Sequence, residues 1–322
     1  MSMAPPLYRL RFGSFMDFAF RELHPGEILK NSWYIEFMAE VLQLNYQEPG
    51  QRMNRLIFNL PPGYLKTHIC SVSFPAWILG RDPRKSVLIL SEHPDAAFEI
   101  QERCFELMSS SRYRAIFPRA TIKKHARMLE LCHGGGIRHA GMGYHSHHKK
   151  SDVVIIDNPQ SLYSLDRIKS EHLADFGRLL KKPKEGMMVM ATRRLGENDL
   201  SSLLSRDRSG WHQWAFPAAA LHDRDWRFPP DIRCNQKKGD LLNPGIDSWA
   251  DLETHLHEMG GEAFCFQYLQ GLHFPSAETV TETHEKDGQT IITIREPSST
   301  ETMMKFLNEI RAESKHKPLC MT

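Results

Sequence analysis

The chain has 322 residues, 41% of them apolar and 25% charged, with a formal net charge of +2; these are the proportions of an ordinary globular protein, not of a disordered or collagenous one. No stretch reaches the ~18–20 apolar residues of a membrane-crossing helix, and residues 1–12 lack the apolar segment and cleavage site of an export signal, so neither is expected. So small a net charge excludes a molecule that attracts DNA over its whole surface, and the six cysteines, at 70, 104, 132, 234, 265 and 320 with no Cys-x-x-Cys spacing, read as free thiols of a reducing compartment.

In chain order, residues 1–50 read as a helical arm. A buried strand is expected over Arg55–Leu60, leading through Pro61-Pro62-Gly63-Tyr64-Leu65-Lys66-Thr67 into a helix from Thr67 to about Leu79. A strand, a tight turn and a helix start make a phosphate cradle: the turn aims N–H groups inward and the helix adds the positive end of its dipole. Lys66 is then placed to reach the β- and γ-phosphates, and the Thr67 hydroxyl to ligate Mg²⁺. The strict phosphate-loop pattern is not met, because Leu60 and Leu65 stand where it asks for glycine. Without a ligand, the segment is a Pro-Pro turn followed by one exposed lysine.

A strand over Val87–Leu90, a helix over Asp95–Ser109 and a strand over Met128–Leu131 come next. His133, His139, His145, His147 and His148 follow, but Gly134-Gly135-Gly136 and Gly141-Met142-Gly143 break their segment into a flexible hairpin. No cysteine or carboxylate completes a ligand set there, so a Gly-rich loop is expected instead of a metal site. Val153–Asp157 is a Val/Ile-rich strand of the kind found in parallel sheets covered on both faces, and it ends in a carboxylate where such sheets bind ligands. Asp157 is therefore placed to hold Mg²⁺ opposite Thr67; without a ligand, Asp157-Asn158-Pro159 is a turn.

A helix over Leu165–Leu180 and strands over Met187–Thr192 and His212–Phe216 complete the alternation. It predicts an α/β fold of the P-loop NTPase type, a mainly parallel sheet flanked by helices, over residues 51–242. Residues 243–275 read as a small helical cap in which Gly260-Gly261 ends the helix Trp249–Met259. Residues 276–322 read as a tail with a hairpin around Lys286-Asp287-Gly288-Gln289, a strand Thr290–Ile294 and a helix from Thr300 to Glu313. The basic clusters Lys123, Lys124 and Arg127, Lys149 and Lys150, and Arg178 with Lys181, Lys182 and Lys184 are candidate DNA contacts or solubilising surface.

Taken together, these segments resemble the large terminase subunits of tailed bacteriophages and prophages, ATP-driven DNA-packaging motors, over most of residues 15–275. Pro61 to Thr67 with Ser71-Val72-Ser73-Phe74-Pro75-Ala76-Trp77 looks like a subgroup that tolerates leucine before the lysine. Asn31 to Ile35 resembles the helix upstream of the nucleotide site, Val153 to Pro159 the second nucleotide motif, and Met187 to Leu200 the segment that couples hydrolysis to movement. Trp211 to Ala218 and Phe264 to Gln270 also fit.

The resemblance implies ATP and Mg²⁺ as cofactors. It assigns Trp33, Pro62, Gly63, Tyr64, Leu65, Lys66 and Thr67 to the nucleotide, Thr67 and Asp157 to the metal, and catalysis to Asp157, Asn158 and Thr192, with Thr192 sensing the γ-phosphate. It implies double-stranded DNA, a portal protein and a small terminase subunit as partners, a homo-oligomeric ring, and the host cell cytoplasm. Two positions depart from the family pattern. Asn158 replaces the usual second carboxylate, and Gly63 stands where the subgroup carries arginine; both changes imply slow turnover. The residues after Pro275 are too few for the family's nuclease domain, so no nuclease activity is expected. A degenerate, non-hydrolysing nucleotide-binding remnant or regulatory module and a helicase-like ATPase remain as alternatives.

Overall fold

Where apolar residues run together without interruption, the chain forms strands that are covered on both sides. The computed structural model describes residues 5–47, 53–142, 150–161, 176–206, 210–228, 232–271, 280–286, 289–295 and 298–314. Among these, strands β1 (Arg55–Asn59), β2 (Ser86–Ser91), β3 (Ile122–His125), β4 (Leu129–Leu131), β5 (Gly136–Gly141), β6 (Val153–Asp157), β7 (Met187–Thr192) and β8 (His212–Ala215) form one sheet in the order β3-β4-β5-β2-β6-β7-β1-β8. All neighbours from β5 to β8 are parallel, whereas β3 and β4 extend one edge antiparallel. The α/β fold expected from the sequence is the one observed.

Side chains of period two divide the core. Leu56, Phe58, Val87, Ile89, Val153, Ile155, Met187 and Val189 face a large apolar cluster. Ile57, Leu88, Leu90, Val154, Ile156, Met188 and Met190 face a smaller one with Phe176, Leu180 and Leu200. The arm helices α1 (Pro5–Leu10), α2 (Phe12–Leu23) and α3 (Trp33–Gln47) belong to the large cluster, together with α4 (Phe74–Arg81) and α5 (Pro94–Ser109). Phe12 meets Phe74 edge-on with ring centroids 5.2 Å apart, and the Trp77 indole N–H donates to Tyr8 O at 3.0 Å. The helices of the expected arm thus share the core of the sheet.

One expectation is overturned. The Gly-rich histidine segment is not simply a loop: residues 136–141 are β5, paired with β2. Its glycines permit backbone contact, since a Cβ on Gly135 would lie 2.2 Å from Lys85 O and one on Gly136 2.0 Å from Leu129 O. His145, His147 and His148, together with Lys149, lie outside the described residues, as does most of the helix expected over Leu165–Leu180, where Phe176–Leu179 is a 3₁₀ turn. Among the described residues no cluster of three metal-ligating side chains occurs, and no helix is long and apolar enough to cross a membrane.

Toward the C-terminus come α6 (Ser111–Ile116), α7 (Leu200–Arg206), a hairpin of β9 (Arg224–Phe228) and β10 (Ile232–Gln236), helices α8 (Trp249–Met259) and α9 (Gly261–Gln267), a second hairpin of β11 (Val280–Lys286) and β12 (Gln289–Arg295), and α10 (Ser299–Ser314). Ser248 and Asp251 form a capping box at the start of α8. Helix α10 docks on this cap: Met303, Leu307 and Ile310 are buried, and Arg311 reaches Glu253 at 2.6 Å.

Candidate functional site

The segment after β1 turns twice through left-handed backbone, at Gly63 (φ +81°) and at Leu65 (φ +59°). Glycine adopts this region freely, but leucine does so at roughly 1–2 kcal/mol, so Leu65 holds local strain of the kind found at ligand sites. None of the backbone N–H groups of Gly63, Leu65 and Lys66 donates to an acceptor among the described residues. The helix that follows opens as a π-helical turn over Thr67–Ser73 before continuing as α4, a local widening that recurs at functional sites.

Lys66 is not the exposed lysine of the bare sequence reading. It is 6% exposed, and its Nζ donates to Pro61 O at 2.6 Å. Burial pulls its ammonium down from 10.5 to about 8, against the opposing charge of Asp157. Asp157, at the tip of β6, accepts hydrogen bonds from Thr67 Oγ1 at 3.0 Å, Ser71 Oγ at 2.5 Å and Asn158 Nδ2 at 2.9 Å. Burial nevertheless pushes its carboxyl above the usual range, outweighing those bonds and the Lys66 charge. Both charged groups are thus incompletely compensated by the protein, as expected where a ligand of mixed charge completes the site.

A cavity of about 460 Å³ opens over this cluster, lined by His24, Pro62, Gly63, Leu65, Lys66, Thr67, His68, Arg103, Asn158 and Arg193. Its volume suits a nucleotide-sized ligand. Its wall contains Lys66, Arg103 and Arg193 and no carboxylate, an electrostatic setting for a polyanion. The oxygen pair of Thr67 and Asp157 fits a hard divalent cation.

Not every residue singled out by sequence reaches this cavity. The Tyr64 ring, 1% exposed, turns away and packs at 6.1 Å from Tyr34, where burial and the nearby Asp247 carboxylate raise its phenol. Trp33 lies among Phe37, Phe216 and Trp226, with centroids 5.3 Å apart in the last pair, and is not part of the lining. Thr192, 4% exposed, sits at the tip of β7 with its hydroxyl donating to Arg193 O at 3.1 Å, and its own carbonyl accepts from Leu60 N–H. Asn158 lines the cavity in left-handed backbone (φ +42°), and its N–H donates to Ala191 O at 2.9 Å.

Arg193 falls within the segment Met187 to Leu200 already singled out, whereas three residues escaped sequence reading: His24 from the end of α2, Arg103 from α5, and Ser71 in the π turn. Only Ser71 left a local signal, four residues after Thr67 and so on the same helix face. Asp152 stands at the opposite end of β6, bound to Ser86 and Lys181. Glu92 follows β2 beside Asn158: its N–H donates to Asn158 O at 3.4 Å, and its carboxylate accepts from Ser161 Oγ at 2.7 Å.

Beyond β7, Arg194 forms a clasp. Its guanidinium contacts Asp199 at 2.8 Å and Ser202 at 2.5 Å and donates to Gln270 O at 3.3 Å at the end of the cap. Asp199 also accepts from Leu195 and Ser202 N–H, and the Leu200 N–H is held by Gln160.

Sheet order and site position define a fold of the P-loop NTPase type, with the cavity at the carboxyl edge of the strands. Among solved structures, the chain is similar to the large terminase of a thermophilic bacteriophage in complex with ADP (7% identity, TM-score 0.44, 87% of this chain and 74% of that one) and in complex with ATP-gamma-S (8%, 0.45, 87% and 73%). It is also similar to the large terminase of bacteriophage HK97 (10%, 0.46, 88% and 67%). No family model and no curated protein matches the chain.

Proposed function

We propose that the cavity binds Mg·ATP and that the chain is a terminase-like ATPase of phage or prophage DNA packaging, coupling nucleotide binding and hydrolysis to translocation of duplex DNA into a capsid. The observation that carries this reading is the convergence of Lys66, Thr67 and Asp157 under a cationic cavity, beside a turn with unengaged N–H groups. Pro62, Gly63, Leu65 and Lys66 cradle the phosphates. Thr67 and Asp157 hold Mg²⁺, which supplies charge neutralisation to the phosphate oxygens. Thr192 and Arg193, at the tip of the strand between β1 and β6, report the state of the terminal phosphate. The Arg194 clasp carries that state to the cap. Duplex DNA, a portal protein, a small terminase subunit and a homo-oligomeric ring in the host cytoplasm complete the proposal.

Asn158 favours a second reading, a nucleotide-binding module without turnover, because an amide orients water but accepts no proton. Glu92, whose backbone N–H donates to Asn158 O, is the candidate to replace the missing group. Calorimetry with Mg·ATP and phosphate-release assays with and without duplex DNA separate these readings. DNA-stimulated release that disappears in Lys66→Ala supports the motor. Binding without release supports the module, and no heat of binding removes both.

A further inference from the structure

The phosphate loop offers no side chain at Gly63, and nothing lies within 4 Å of where its Cβ would be. On the cavity wall, a guanidinium comes from another element, α5. The Nη2 of Arg103 donates to His24 Nε2 at 3.1 Å, while His24 Nδ1 stands 3.1 Å from Phe20 O. A carbonyl only accepts and a guanidinium only donates, so Nδ1 carries the hydrogen and Nε2 presents its lone pair. The imidazole is fixed further by stacking on Phe20 at 4.4 Å. Arg103 is therefore braced by an imidazole lone pair. Its charge remains available to the cavity. That charge also acts on the neighbouring His68, which burial, with Arg103 adding, brings down to about 4.

We propose that Arg103 is a phosphate-contacting residue supplied by the same chain, that it recognises the terminal phosphate of a bound nucleoside triphosphate, and that His24 is its positioning residue. The proposal rests on the nucleotide reading above. It assigns to α5 the task that the loop leaves open at Gly63: a planar guanidinium donating charge-assisted hydrogen bonds to the phosphate that ADP lacks.

Calorimetry of the full chain with Mg·ATPγS and Mg·ADP tests it. Arg103→Ala is expected to weaken ATPγS about tenfold or more, the range of a charge-assisted hydrogen bond, while ADP stays within about twofold. Arg103→Lys recovers part of the loss. His24→Phe, which keeps the stack and removes the acceptor, weakens ATPγS alone. The assignment is overturned if Arg103→Ala binds ATPγS as wild type does, or loses ADP and ATPγS equally. Failure of the wild-type chain to bind either nucleotide removes the nucleotide reading itself, and the proposal with it; this is a different result from a variant that binds like wild type.

Discussion

Lys66 is held against its own preference for water, and that has a measurable consequence. The unfolded chain keeps this ammonium charged up to about 10.5, the folded chain only to about 8. Between those values the unfolded state binds more protons, so stability rises with pH across that window, and below it the buried charge costs roughly 3 kcal/mol. Lys66→Met should therefore raise the melting temperature at pH 7, flatten its pH dependence between 8 and 10.5, and abolish nucleotide binding; thermal scans across pH together with calorimetry check all three. Asn158→Asp acts in the opposite sense. The left-handed backbone accepts aspartate nearly as readily as asparagine, but the hydrogen bond to Asp157 is replaced by repulsion between carboxylates. We expect apo stability to fall by about 1 kcal/mol and phosphate release to rise by ~10²-fold or more. An unchanged rate would mean that another group, Glu92 foremost, already activates the water.

At the scale of elements, β7 and α7 are joined by a buried ion pair whose side chains are 13% and 3% exposed, and the same guanidinium reaches the cap at Gln270 O. Asp199 lies below the usual carboxylate range despite burial, because Arg194 and the N–H groups of Leu195 and Ser202 stabilise its charge. Its contribution is present above the unfolded-state pKa and fades as pH falls through the lower folded value. Asp199→Ala strands Arg194 and should destabilise the chain by ~3–5 kcal/mol, measured by urea unfolding. Elements with an unbroken apolar run, β6 and β7 among them, were legible in the sequence because both faces are buried and each residue votes the same way. The strand β5 was not, since Gly136, Arg138, His139 and Gly141 carry no such pattern and the close packing that needs Gly135, Gly136 and Gly141 is made by Lys85, Leu129 and Pro94, which no local pattern pairs with them. For the same reason Lys66, Thr67 and Asp157 could be found from local spacing, while His24 and Arg103 could not. Of the basic clusters, Lys181 and Lys182 are already paired with Asp152 and Glu185, and Lys123 and Lys124 sit on the edge strand β3, where lysines discourage pairing with other chains.

For the molecule as a whole, binding at one cavity stabilises everything that shares its core. Mg·ATP at a hundredfold excess over Kd should add about 2.7 kcal/mol, seen as an upward shift in melting temperature that is absent in Lys66→Met. Thiol labelling gives an independent check: Cys132 is exposed, whereas Cys70, Cys104 and Cys265 are buried. Burial lifts the Cys70 thiol well up and that of Cys104 to about 12, so these should label only on unfolding and more slowly still with nucleotide. The sheet order carries one more consequence. Because β7 is interposed between β1 and β6 and is tied to both by Leu60 N–H to Thr192 O and Asn158 N–H to Ala191 O, the strands that carry the two banks of the pocket do not pair with each other; the banks meet where Thr67 and Ser71 donate to Asp157. Under the motor proposal, a change in the spacing of these banks would be relayed through the middle strand and delivered at its Arg194 end.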